Sequence, residues 1–271
     1  MTALERIVFA VLVLAVAGGG YWWWKSQQSP APLPPPAAVT TPSAPAAPEA
    51  AEGTIQHPIE QAPVGGDTEP AKPLPKLADS DAAASDALAN VSPQQKLPDF
   101  VVPKMLIRHI VATVDNLPRD KVSMNLWPVK PTGGAFLVAT TPNGKVIAPT
   151  NSARYTPYVR WMEALDAKKV ASVYARFYPL FQEAYKDLGY PKGYFNDRLI
   201  VVIDHLLATP EVSGAIRLEQ PKVLYEFADP QLKATSAGQQ ILLRMGHENA
   251  LKVKAKLREL RKEVARQAPK G

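Results

Sequence analysis

The chain is 271 residues long, with 31 Lys and Arg against 25 Asp and Glu, a formal charge of +6 and no cysteine. Cysteine-free chains occur in oxidising and reducing spaces alike, so composition leaves the compartment open. There is no Gly-rich phosphate loop, Gly-x-Ser-x-Gly elbow or His-Glu-x-x-His pattern, which removes the nucleotide-binding, serine-hydrolase and zinc-protease classes that such motifs mark.

Residues 1–6 read as a short cytoplasmic tail. Ile7 to Trp23 is a seventeen-residue apolar run, extended by Trp24 and closed by Lys25. At ~1.5 Å per residue, a helix over 7–24 just crosses a hydrocarbon core, which needs about 17–25 residues. Tyr21 to Trp24 then lie at one interface and Lys25 reaches the headgroups. The same stretch also fits a cleaved signal peptide, with Arg6 as its basic flank, Ile7 to Val16 as its apolar part and Ala15-Val16-Ala17 as its cleavage site. Three tryptophans have no use at a mature N-terminus, which favours the uncleaved anchor. Arg6 and Lys25 nearly cancel under the positive-inside rule, and long downstream segments translocate largely regardless of charge. The expectation is a single-pass protein of the bacterial inner membrane with its C-terminal domain in the periplasm.

Residues 25–97 hold half of the 28 prolines, many alanines and few large apolar side chains. Such a segment cannot bury enough surface to offset its chain entropy and is expected to be a disordered spacer. Fully extended at ~3.1 Å per residue, it reaches about 200 Å. Asp79 to Asn90 is Ala-rich but lacks caps and an apolar face, so any helix there is expected to be transient.

Composition turns globular at Pro98, and charge divides at the same point. Residues 1–97 carry five Lys/Arg against nine Asp/Glu and the remainder twenty-six against sixteen, so the folded part is about +10. That balance suits an anionic surface or an acidic envelope protein. An exported location argues against nucleic acid. Pro103 opens a helix through Leu106, Ile107, Ile110, Val111, Val114 and Leu117, ended by Pro118. Ala135 to Thr140 and Lys145 to Ala148 form a hairpin across Thr141-Pro142-Asn143-Gly144. Thr156 caps a helix to about Leu165. Asp166 caps the central one, whose stripe runs from Val170 through Phe177 and Phe181 to Leu188, with Gly189 as its left-handed stop. Pro179 is expected to kink it. Asn196 caps the next helix, ended before Pro210. Ile216 to Leu218 and Val223 to Phe227 read as short strands. Ser236 and Gln239 form a capping box for a helix stopped by Gly246. The last helix, about Glu248 to Arg266, has Val253, Leu257, Leu260 and Val264 on one face. The fold class is α+β: a predominantly α-helical single globular domain over 98–271 with short β-hairpins.

Several phrases resemble the proteobacterial domain of unknown function family 3014: Phe177-Tyr178-Pro179-Leu180, Leu188-Gly189-Tyr190-Pro191, Ile203-Asp204-His205-Leu206-Leu207-Ala208-Thr209-Pro210, Tyr225-Glu226-Phe227-Ala228-Asp229 and Leu242-Leu243-Arg244-Met245-Gly246-His247-Glu248-Asn249. The resemblance covers about 98–266 and implies a membrane-tethered protein, with no established activity to carry over. Where the family has an Arg-Arg-Tyr-Asp-like phrase, this chain has Ala153-Arg154-Tyr155-Thr156, so no acidic role transfers to that position.

Chemistry-bearing residues are sparse. Asp204-His205 are neighbours on a helix, about 100° apart, and do not make a dyad by themselves. Arg244, His247, Glu248 and Asn249 are the densest polar cluster, equally readable as a capped junction after Gly246. Eleven of the 21 aromatics lie between Tyr155 and Phe195; Tyr158, Trp161, Tyr190 and Tyr194 are the candidates for sugar stacking, and the rest fall on the helical stripe. On the last helix Lys252, Lys254, Lys256, Arg258, Arg261, Lys262 and Arg266 surround the apolar stripe. Lys254, Arg258 and Arg261 are the proposed contacts to an anionic partner. No metal or cofactor is implied. The expected function is a non-catalytic interaction or scaffolding role in the envelope. The alternative is a wall-directed enzyme or glycan-binding module using carboxylates such as Asp197, Asp204 or Glu248.

Overall fold

The computed structural model describes residues 55–59 and 73–266. The apolar run at 7–24 and most of the Pro/Ala-rich stretch lie outside the described residues. Among the described residues no helix is long and apolar enough to cross a membrane.

The helices are α1 Asp81–Val91, α2 Leu106–Asn116, α3 Thr156–Ala164, α4 Ala167–Asp187, α5 Phe195–Leu207, α6 Pro230–Lys233, α7 Ala237–Arg244 and α8 His247–Arg266. The strands β1 Val138–Thr141, β2 Gly144–Ile147, β3 Arg217–Glu219 and β4 Glu226–Phe227 form one antiparallel sheet in that order. The chain is therefore α+β and mostly helical. The hairpin read from sequence continues into the later short strands, the last of them only Glu226–Phe227, because β2 pairs with β3 through Val146 opposite Arg217.

Helix α4 is the spine, packed by α1, α2, α5 and α8. The Asp166 carboxylate accepts from the Lys168 and Lys169 amides at 2.9 and 3.1 Å. That contact holds the carboxyl below its usual pKa, the Lys169 amide being the main cause. Gly189 takes φ +114° just beyond the helix, a conformation that a Cβ opposes. Pro179 lies within α4 without ending it. Phe177 is fully buried. Phe181 is only partly so, and stacks on Phe195 with ring centroids 5.8 Å apart.

Two expected caps differ. Tyr155, not Thr156, precedes α3, which continues the 3-10 turn Pro149–Arg154. Asn196 lies inside α5, where its Oδ1 accepts from the Tyr174 hydroxyl and its Nδ2 donates to the His57 carbonyl. The Ser236–Gln239 capping box is present at α7.

The spacer boundary moves. Residues 73–97 are not a solvated tether: Leu77 and Ala84 are buried in the main core, and Leu74, Ala83, Ala87, Leu88 and Leu97 pack against it. Alanines on one face let α1 approach closely, so a few leucines suffice. Asp81, on α1, accepts from the amides of Met105 and Leu106 at 2.7 and 3.0 Å and so caps α2 from outside it. Met105 holds φ +52° at that junction. Residues 55–59 also join the body. The Asp197 carboxylate takes the amides of Gln56 and His57, the Tyr194 hydroxyl takes that of Ile59, and Ile59 is buried.

A smaller core lies under the sheet, where Leu218 and Phe227 meet Leu232 of α6 and Leu243 of α7. Packing in the helical half leaves an apolar cleft of about 300 Å³ among α1, α2, α4, α5 and α8.

Candidate functional site

The polar cluster Arg244, His247 and Glu248 lines a groove of about 640 Å³, bounded by β1, β2, the Pro149–Arg154 turn, the 212–216 loop and the start of α8. Gly246 makes the corner between α7 and α8 at φ +87°, with Ser152 so near that a Cβ would sit 3.1 Å from its own. Asn151, wholly buried, binds the walls together. Its Nδ2 donates to the Arg244 carbonyl at 2.9 Å, and its Oδ1 accepts from the Leu137 amide and from Arg154. Arg154 in turn donates to the carbonyls of Gly133 and Gly134. Asn249 donates to the carbonyls of Ser152 and Met245, so it braces the corner as a donor and does not act as a helix cap.

Arg244 is the exception in this braced frame. Its guanidinium lies over the Phe227 ring, 5.1 Å from the centroid, and forms no ion pair with any described residue. Burial lowers its pKa, with Tyr155 pulling the other way; an arginine so shifted remains cationic at neutral pH. Burial likewise raises the Tyr155 hydroxyl, opposed by Arg154 and Arg244. The site is thus a half-buried, preoriented cation with room beside it, His247 half-buried and Glu248 exposed at the rim.

The other sequence candidates are placed differently. Lys254, expected on an exposed basic face, is 2% exposed; its Nζ donates to the Thr209 carbonyl at 2.6 Å and to Glu211 at 2.9 Å. Lys256 is buried too, bonded to the Leu165 carbonyl and Glu259. Arg261 is held by both oxygens of Asp204 at 2.6 and 2.8 Å. Of the proposed trio only Arg258 stands exposed. Helix α8 is packed by α3, α4 and α5, so its lysines are drawn into the body.

The aromatic candidates serve the fold. Tyr190 stacks on Tyr185 at 4.6 Å and its hydroxyl donates to Asp115. Tyr194 holds the Ile59 amide. Tyr158 donates to the Lys130 carbonyl, and Trp161 to Ser92. Asp204 and His205 diverge: Asp204 faces Arg261, while His205 Nε2 lies 2.8 Å from Ser236 Oγ. Burial chiefly, and Arg198 second, lower the His205 pKa. Asp197 is occupied by the 56–57 backbone.

Sequence reasoning missed Asp115, a buried hub that accepts from Arg198, Arg119 and Tyr190. An acid on the inner face of an apolar helix was its only signal. Among the described residues no three His, Asp or Glu side chains converge as a metal site would require. Comparison with curated proteins and with solved structures gives no match. The model of the family described as "Protein of unknown function (DUF3014)" matches residues 106–261, from the first residue of α2 to well within α8 and more than half of the chain, so the chain belongs to that family.

Proposed function

We propose that the chain is a membrane-tethered, non-catalytic interaction module of the bacterial envelope, with its helical domain in the periplasm and an oxyanion of a partner bound beside Arg244. The observation that carries this is Arg244, which lines the groove and forms no ion pair with any described residue. A planar, forked donor of that kind matches carboxylate or phosphate geometry. Partial burial strengthens such a contact relative to one on the surface. Arg258 and Lys262 on α8, both exposed, add an attractive field around the domain. The tether rests on the apolar run and aromatic flank at 7–24.

A photoreactive amino acid at Glu248, on the groove rim, tests the reading in intact cells. Adducts are expected with the otherwise wild-type chain, to be lost in Arg244→Gln and to persist in Arg258→Gln. Equal adducts in Arg244→Gln overturn the groove as the binding site. A reporter fused after Gly271 that is active in the cytoplasm overturns the periplasmic placement.

A further inference from the structure

The cleft in the helical half has the opposite chemistry to the Arg244 groove. Its deepest walls are Ile107, Phe177, Phe195, Ile203 and Val264, each at most 5% exposed. Among the described residues Tyr174 is the single lining residue with a polar side-chain atom, and its hydroxyl is committed to Asn196 Oδ1 at 3.1 Å. No charged side chain among the described residues lines the space. Half of the lining residues, among them Leu88, Val173, Leu199 and Leu260, keep partial exposure, so entry does not require unfolding.

We infer that this cleft binds a hydrocarbon chain of about a dozen carbons, either free or as the end of a lipid tail. Size gives the length: a cavity of ~150 Å³ with similar walls holds one benzene ring, and this one has about twice that room. Chemistry gives the class, since a group with polar atoms would lose hydration there and find no partner.

The protein's own segments do not fit. Residues 60–72, which run between two stretches that both enter this core, contain one large apolar side chain, Val64. Residues 267–271, which follow the helix bearing Val264, contain none. Residues 26–54 contain Leu33 and Val39, isolated among prolines and alanines. The apolar run 7–24, if helical, would be ~10–12 Å across and about 27 Å long, several times the volume of a space of about 300 Å³. A single alkyl chain has the right volume and polarity.

The full chain in membranes, irradiated with diazirine-bearing dodecanoic acid or with a phospholipid carrying the same chain, tests this. Adducts are expected on peptides from 106–116, 167–187 and 195–207 above the background on 217–227. Labelling by the acid alone identifies a free chain, and labelling by the phospholipid identifies a lipid tail. Val173→Phe fills the cleft and is expected to cut labelling roughly tenfold or more, with amide exchange in α4 no faster than in wild type. If exchange shows that this variant loosens α4, Leu199→Phe fills the space from α5 and carries the same expectation. Labelling of cleft peptides at background, or undiminished in a filled and folded variant, overturns the inference.

Discussion

Replacing Asp115 by Asn tests whether one buried carboxylate holds the helical half together. Asp115 is 1% exposed. Its Oδ1 takes Arg198 Nε at 3.0 Å, and its Oδ2 takes Arg119 Nη2 at 2.8 Å and the Tyr190 hydroxyl at 3.1 Å. The two arginines differ in what they stand to lose. The Arg119 side chain is 44% exposed, and an exposed pair is worth about 0.2–1 kcal/mol. The Arg198 side chain is 13% exposed, and stranding a buried partner costs about 3–5 kcal/mol. Arg198 Nη2 also donates to the Asp115 backbone carbonyl at 2.8 Å, and the substitution leaves that bond in place. The expected loss is therefore near the lower bound, about 3 kcal/mol. For a folded unit of this size that lowers the unfolding temperature by about 6–12 °C. Arg119→Ala is expected to cost about 1 kcal/mol or less. Thermal unfolding of the full chain, followed by near-ultraviolet circular dichroism, measures both. The reasoning fails if Asp115→Asn unfolds with the wild type, or if Arg119→Ala is as damaging.

Phe177→Ala removes a buried ring and is expected to cost about 3–5 kcal/mol in denaturant unfolding; the same change at the partly exposed Phe181 costs less, and equal losses would place the core wrongly. Asp197→Ala frees the 55–59 strap: exchange of the His57 and Ile59 amides should rise roughly tenfold or more while α4 is unaffected, and unchanged protection would show that the strap is held elsewhere. His205 has a folded pKa below its ordinary value, so the folded state binds fewer protons than the unfolded chain below about pH 6.5. Its contribution is complete above that pH and is lost as pH falls through the folded value. In His205→Gln the drop in unfolding temperature from about pH 7.5 to 5.5 should be shallower than in wild type; an identical drop refutes the assignment.

What the sequence disclosed follows the range over which each interaction acts. Asp166 satisfies amides two and three residues on, Ser236 and Gln239 close their box within one turn, and Gly144, Gly189 and Gly246 all adopt positive φ. These are local events, decided by neighbouring residues. Asp81 caps α2 across about two dozen residues and Asn196 meets His57 from 139 away, and no local signal distinguishes these side chains from solvated ones. Residues 73–97 misled for a related reason. Alanine carries little weight in a count of apolar side chains, yet on α1 its small size is what lets the backbone sit against the core.

The last helix carries the same lesson into the site. Its narrow apolar stripe suggested one buried face and a broad basic remainder. A helix flanked by α3, α4 and α5 must bury more than a stripe, and lysine can do this by laying its stem along the body while its ammonium finds an acceptor. The Thr209 and Leu165 carbonyls are those acceptors, at the ends of neighbouring helices where partial negative charge gathers. Lys254 and Lys256 thereby become structural, and Arg261 follows by pairing with Asp204. The formal charge of the helix is thus a poor guide to the field it presents. Arg244 inverts the relation: a single arginine at the end of a short helix, unremarked by charge counting, is sheltered against Phe227 and forms no ion pair with any described residue.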